Sequence, residues 1–239
     1  MSDTLSAHPA ARALRTRLEH GEPTRIVGFG SSNTEARAEC RFNWLDWLDY
    51  GLHRAYGRFH RTINSGVSGN TTGQMLERFD EDVALYRPHV VFVTAGGNDS
   101  APEKTAGEEV YRANLLRIAG WIRDLGAAVV FQTYYAVDLE RMEPPYAAAF
   151  PVYMEIVREV AAETGDALID HYSRWERLRL ADLERYRALM LNPLHVNASG
   201  NMLMGADVLR ALGVPLTDEA RGALATGLEL QAALDDLAR

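Results

Sequence analysis

The chain has 239 residues, 47% of them apolar, which fits one large domain or two small ones and a core well short of membrane hydrophobicity. Its net charge of −8 arises from 25 basic and 33 acidic side chains mixed along the sequence. No basic run of the kind a phosphate backbone needs is present, so nucleic acid is not an expected partner.

The one cysteine, Cys40, excludes an intrachain disulfide and suits a reducing compartment. No His or Gly-rich context surrounds it, so a small, semi-buried side chain is expected rather than a catalytic thiol. Residues 1–10 lack an apolar h-region, and the longest apolar run, around residues 90–95, is too short to span a bilayer. The expectation is a soluble, cytoplasmic protein with no membrane partner.

Apolar positions at helical spacing over residues 8–20, stopping at Gly21, predict a first helix. Residues 25–29 are a short apolar run ending in Gly-Ser and predict a buried strand. Residues 42–56 are aromatic-rich with a helical period. A strand over 61–64 leads into the turn-rich stretch Ser65-Gly66-Val67-Ser68-Gly69-Asn70. Thr71 or Thr72 then caps a helix reaching about residue 86, which Pro88 ends.

The continuous β-branched run over 89–95 is the clearest strand and stops at Gly96-Gly97. There follow a helix over 106–125, a strand over 127–133, a helix over 151–164 and a short strand over 167–170. Helices over 175–190 and 199–212 precede a last helix, which runs from the Thr217 cap to residue 238.

Strands apolar on both faces, alternating with helices, make a parallel sheet covered on both sides, with right-handed crossovers. No internal repeat, low-complexity tract or linker divides the chain. The economical architecture is one three-layer α/β/α domain over residues 1–239, with residues 1–24 as a helical N-terminal extension and 214–239 as a C-terminal helix. Active residues in such folds gather at the carboxyl ends of strands.

Four segments carry groups suited to acyl transfer. Gly28-Phe29-Gly30-Ser31-Ser32-Asn33-Thr34 follows the first strand and places a serine before an expected helix start, where free N–H groups and the positive end of a dipole would sit. In Ser68-Gly69-Asn70-Thr71 a glycine lets a backbone N–H approach a developing oxyanion. Gly96-Gly97-Asn98-Asp99 follows the third strand, and the Asn98 amide can donate a second hydrogen bond to the same oxygen. Asn192-Pro193-Leu194-His195-Val196-Asn197 precedes a helix and supplies an imidazole to take the serine proton.

The order Gly-x-Ser, Gly, Gly-x-Asn-Asp and His resembles that of the SGNH hydrolases, also called GDSL-type esterases and lipases, over residues 25–212. The resemblance implies a flavodoxin-like three-layer fold whose central parallel sheet has about five strands. It also implies Ser32 as nucleophile, His195 as base, and an oxyanion hole formed by Gly69, Asn98 and the Ser32 backbone N–H. Family members are esterases, thioesterases, lipases and carbohydrate deacetylases, and no metal or organic cofactor is implied.

Two positions depart from the family pattern. Gly30-Ser31-Ser32 stands where Gly-Asp-Ser is usual, which is expected to alter loop hydrogen bonding more than chemistry. Asn192 stands where an aspartate three residues before the histidine is usual. An aspartate both orients the imidazole and stabilises the imidazolium, whereas Asn192 can accept from Nδ1–H but brings no charge. A backbone carbonyl, or a carboxylate such as Asp99 or Asp170, is the alternative source of orientation.

His171 beside Asp170 reads as local hydrogen bonding, and the remaining histidines have no ligand-like spacing. The aromatic group Phe42, Trp44, Trp47 and Tyr50 reads as core packing rather than a sugar platform. Tyr134, Tyr135 and Asp138 are candidates to line the pocket, and Pro144-Pro145-Tyr146 to shape a lid. The last helix either covers the core or offers a homo-oligomeric contact.

The expected activity is hydrolysis of short-chain acyl esters or carbohydrate O-acetyl esters, with a small-molecule or carbohydrate ester as partner. The rival motivated by Asn192 is a catalytically silent or very slow SGNH-fold protein that binds acylated or glycan ligands. A dinucleotide-binding reading of Gly28-x-Gly30 fails because Asn33 occupies the place of the third glycine.

Overall fold

The computed structural model describes residues 3–38 and 40–238. Five strands, β1 (Thr24–Gly30), β2 (His60–Gly66), β3 (Val90–Thr94), β4 (Ala128–Gln132) and β5 (Ala167–Ile169), form one parallel sheet in the order β2-β1-β3-β4-β5. All side chains of β3 are buried, as a continuous apolar run requires. In register, Gly30 lies beside both Gly66 and Thr94, so the first three strands end level with one another. The strand order reverses between β1 and β3, and the crevice at such a reversal is where an open α/β sheet places its ligand.

The helices are α1 (Asp3–Ser6), α2 (Pro9–Glu19), α3 (Trp44–Tyr56), α4 (Thr72–Glu77), α5 (Phe79–Asp82), α6 (Glu108–Asp124), α7 (Pro144–Thr164), α8 (His171–Ala181), α9 (Leu183–Arg187), α10 (Ala198–Ala211), α11 (Asp218–Ala223) and α12 (Ala225–Asp236). Steps from β1 to β2 and from β3 onward run in opposite directions across the sheet, so right-handed crossovers put α3 on one face and α6 and α7 on the other. α10 packs on α3, and α12 packs on α10. Trp44 is fully buried with its ring edge-on to Phe92 of β3. Phe42 departs from the core reading of the aromatic group: it is 43% exposed and leans on Trp47.

Several helices differ from the sequence-based expectation. α7 begins at Pro144, not residue 151. Pro144 and Pro145 occupy the first turn, where no intrahelical N–H is required, and the helix carries Pro151 inside it. Residues 144–146 are therefore helix, not a free connection. The single helix expected over 175–190 is two, because the Asp182 side chain accepts from Arg185 N–H and caps a new start. The segment after Thr71 is α4, α5 and a 3-10 turn at Ala84–Tyr86 in place of one helix, and the last helix is split at Leu224.

Asp170 follows β5 and caps α8. Its carboxylate accepts from Arg158 Nε at 2.9 Å, Arg158 Nη2 at 3.1 Å, Ser173 Oγ at 2.6 Å and Thr133 Oγ1 at 3.0 Å. Burial would raise this carboxyl, but the hydrogen bonds from Arg158 and Ser173 and the Arg158 charge hold it below the usual range. A carboxyl lowered in the folded state contributes stability above its unfolded value of about 3.9 and loses it as pH falls through the folded value. Asp170→Asn should therefore cost about 1–3 kcal/mol at pH 7 in urea unfolding, and the gap from wild type should close as the pH falls below the usual carboxylate range and the carboxyl protonates in the folded state.

Candidate active site

β1 delivers the chain to Ser31, whose carbonyl accepts from Thr34 N–H and Glu35 N–H, both at 2.9 Å. This is a single turn, and the next helix, α3, starts only at Trp44. The helix N-terminus expected behind Ser32 is thus absent, and a turn presents the serine instead. Gly66 makes room for that turn: a Cβ there would lie 2.1 Å from Glu35 N. The Ser31 hydroxyl lies 2.6 Å from Tyr134 Oη, a loop bond that an aspartate at this position would make differently. Tyr134 is fully buried, and burial pushes its phenol up to about 12.

Ser32 Oγ is 2.8 Å from His195 Nε2, and His195 Nδ1 is 3.1 Å from Asn192 Oδ1. The same Asn192 oxygen accepts from Leu194 N–H and His195 N–H, each at 2.9 Å. A backbone N–H can only donate, so these two bonds fix which end of the Asn192 amide faces the ring. His195 Nδ1 must then carry the proton shared with Asn192, which leaves Nε2 as an acceptor for the serine hydroxyl. Asp99 and Asp170 are committed elsewhere: Asp99 Oδ1 accepts from Thr72 N–H and Oγ1, and Asp170 from Arg158. Asp99 is almost wholly buried, and burial raises its carboxyl above the usual range.

The second and third segments meet beside the serine turn. Val67 N–H donates to Gly30 O at 3.1 Å, and Ser68 N–H to Glu35 Oε1 at 3.2 Å. Gly69 holds φ +79°, a left-handed conformation that a side chain disfavours. Among the described residues, neither the Ser32 nor the Gly69 backbone N–H has a partner. Asn98 Nδ2 donates to Asn70 O at 2.9 Å, which uses one of its two hydrogens.

Two braces hold these loops in place, and sequence reasoning missed both. Arg78 donates to Gly30 O, Ser65 O and Asn70 Oδ1 at 2.8, 2.9 and 2.7 Å, joining the ends of β1 and β2 to the second segment. Tyr135, fully buried, shares its hydroxyl proton between Asn33 Oδ1 at 2.6 Å and Leu194 O at 2.7 Å, and accepts from Val196 N–H at 3.2 Å. One phenol thus ties the residue after Ser32 to the residues on either side of His195. Tyr134 and Tyr135, expected to line the pocket, stand behind it. Asp138 is buried and held by Arg187.

The cleft at Ser32 and His195 is lined also by Glu35, Arg37, Cys40 and Leu191. Cys40 is buried, its Sγ–H donates to Phe42 O, and burial raises its thiol. His171, fully buried, lies 3.1 Å from Gln132 Oε1 in the interior, away from His195. Among the described residues, no group of three or more His, Cys, Asp or Glu side chains could hold a metal ion, and no helix is long and apolar enough to cross a membrane.

Residues 29–203 match the model of the GDSL-like lipase/acylhydrolase family. An acetylxylan esterase of Geobacillus stearothermophilus is 25% identical over 161 residues, covering 64% of this chain and 72% of that protein. An uncharacterized lipoprotein of Bacillus subtilis is 28% identical over 120 residues, or 45% of this chain and 47% of its own. Among solved structures, Axe2, the Geobacillus stearothermophilus acetylxylan esterase, superposes with a TM-score of 0.72 at 21% identity, over 84% of this chain and 99% of that one. The acetyl xylan esterase AlAXEase superposes at 0.70 with 19% identity, over 78% and 98%. The five-stranded parallel sheet with helices on both sides is the fold of these structures.

The proton positions deduced at His195 are directly measurable. Long-range ¹⁵N–¹H spectra of the neutral ring should show His195 as the Nδ1–H tautomer, and Asn192→Ala should shift it toward Nε2–H, the form favoured in free imidazole side chains.

Proposed function

The chain belongs to the GDSL-like lipase/acylhydrolase family and is a carboxylic ester hydrolase, and we propose that it removes short acyl groups, acetyl foremost, from carbohydrate esters. The observation that carries this reading is the continuous chain from Ser32 Oγ through His195 to Asn192 Oδ1, with Nε2 left as acceptor. Two features support the substrate class. The relatives named for an activity are acetylxylan esterases. Leu191, 45% exposed, lines the cleft and offers an apolar surface of the kind a sugar ring can cover.

In this reading Ser32 Oγ attacks the ester carbonyl carbon while His195 Nε2 takes its proton. The tetrahedral oxyanion accepts from the Ser32 N–H, the Gly69 N–H and the second N–H of Asn98, all three without a protein partner among the described residues. Collapse breaks the ester C–O bond, and the imidazolium returns its proton to the departing alcohol. A water molecule then loses a proton to Nε2 and attacks the acyl-serine, releasing the carboxylic acid and restoring Ser32. Imidazolium formed in both half-reactions receives the Asn192 carbonyl dipole, not a full charge from that residue. Variants of Axe2 described as catalytic mutants include an aspartate and a histidine three positions apart, the spacing of Asn192 and His195 here.

The test is acetate release from acetylated xylo-oligosaccharides and from p-nitrophenyl acetate. Turnover should be lost in Ser32→Ala and His195→Ala, and Asn98→Ala should lower kcat by about 10²–10³. A folded wild-type protein that releases no acetate from either would favour the silent, ligand-binding alternative.

A further inference from the structure

The sequence holds 24 arginines and a single lysine, Lys104. That lysine stands on the turn after the third segment, where Lys104 N–H and Thr105 N–H both donate to Ala101 O at 2.9 Å. Its Nζ lies 3.2 Å from Gly69 O and 3.3 Å from Asn98 Oδ1. It is also 3.5 Å from the place a Cβ would take on Gly69, so the ammonium is seated directly against that residue. One cation therefore bridges the two residues that the second and third segments bring to the oxyanion hole of the proposed reaction.

The bridge settles the orientation of the Asn98 amide. An ammonium can only donate, so the Asn98 oxygen faces Lys104. The Asn70 carbonyl can only accept, so the Asn98 nitrogen faces Asn70 at 2.9 Å. The Lys104 side chain is exposed, and with the Asn70 carbonyl on the other end it favours the amide orientation that leaves the second N–H of Asn98 for a developing negative charge. Donation from a cation into Asn98 Oδ1 also polarises the amide and makes its N–H a stronger donor.

We propose that Lys104 is a positioning residue of the oxyanion hole, its ammonium bridging Gly69 O and Asn98 Oδ1 so that the Asn98 N–H is aimed and strengthened. This rests on the ester-hydrolase reading above. A guanidinium also offers two donors on one side, so arginine can replace the bridge in large part, whereas methionine keeps only the stem.

Kinetics of Lys104→Met, Lys104→Arg, Asn98→Ala and the double variant Lys104→Met/Asn98→Ala test the proposal. Lys104→Met should lower kcat about tenfold with KM within about twofold, and Lys104→Arg should stay within about threefold of wild type. In the Asn98→Ala background, Lys104→Met should cost little more, because its effect passes through Asn98. An unchanged kcat in Lys104→Met, or the same loss with and without Asn98, would overturn the proposal.

A readout that needs no turnover keeps the two claims separate. The side-chain ¹⁵N–¹H₂ pair of Asn98, assigned by its absence in Asn98→Ala, should shift and broaden in Lys104→Met and return toward its place in Lys104→Arg. If wild type releases no acetate, the hydrolase reading fails while this spectrum still decides the bridge. An Asn98 pair unmoved in Lys104→Met would exclude it.

Discussion

A single oxygen atom, Asn192 Oδ1, sets the protonation geometry on which the rest of the site depends. It gathers three N–H groups, those of Leu194, of the His195 backbone and of the His195 ring. The two backbone donors hold the amide the right way round, and the ring then has one tautomer available to it. In a serine protease, replacing the triad aspartate by asparagine costs about 10⁴ in rate through the wrong tautomer, a case known from that enzyme class. Here the tight turn before α10 fixes the tautomer that the proposed reaction requires, because an amide turned end for end would set its NH₂ against two N–H donors. Asn192 supplies orientation without charge.

The sheet brings the remaining groups to the same place. Gly30, Gly66 and Thr94 end level in register, so the loops that follow them emerge side by side at the reversal in strand order. Loops alone would leave the groups loosely placed, and buried and half-buried polar side chains restrain them. Tyr135 joins the serine turn to the histidine turn, Arg78 joins the serine strand to the second segment, and Asp99 joins the third segment to the start of α4. Burying such groups is tolerable only when they are hydrogen-bonded, so each brace specifies its loops as well as holding them. Asp99 shows the cost, its carboxyl raised by burial while Thr72 donates to it twice.

Much of this was legible in the sequence for local reasons. The strands are short apolar runs bounded by glycine, and the four segments that carry the proposed chemistry consist of turn residues recognisable from a few neighbours. What was not legible came from distance or from local exceptions. Tyr135 meets Asn33 across 102 positions, and nothing in a pair of tyrosines after a strand signals which atoms their hydroxyls reach. Arg78 is one arginine among 24, and only the fold brings it to Gly30. Lys104 did carry a signal, as the one lysine in the chain, but its place beside Asn98 depends on the turn at Ala101. The helix expected after Ser32 failed because a carbonyl, Ser31 O, closes a turn there, Cys40 N–H closes another onto Arg37 O, and helix starts only at the Asn43 cap.

The most direct test of the account is the rate at which a small fluorophosphonate labels Ser32 in wild type, Asn192→Ala and Asn192→Asp. Orientation of His195 by the Asn192 oxygen predicts labelling of wild type at Ser32 and a loss of about 10²-fold in Asn192→Ala. It also predicts a rate at least that of wild type in Asn192→Asp, whose carboxylate can accept the same three N–H groups and adds a charge. Equal labelling of Asn192→Ala and wild type would contradict it, since the serine would then be activated without the oxygen that holds the histidine.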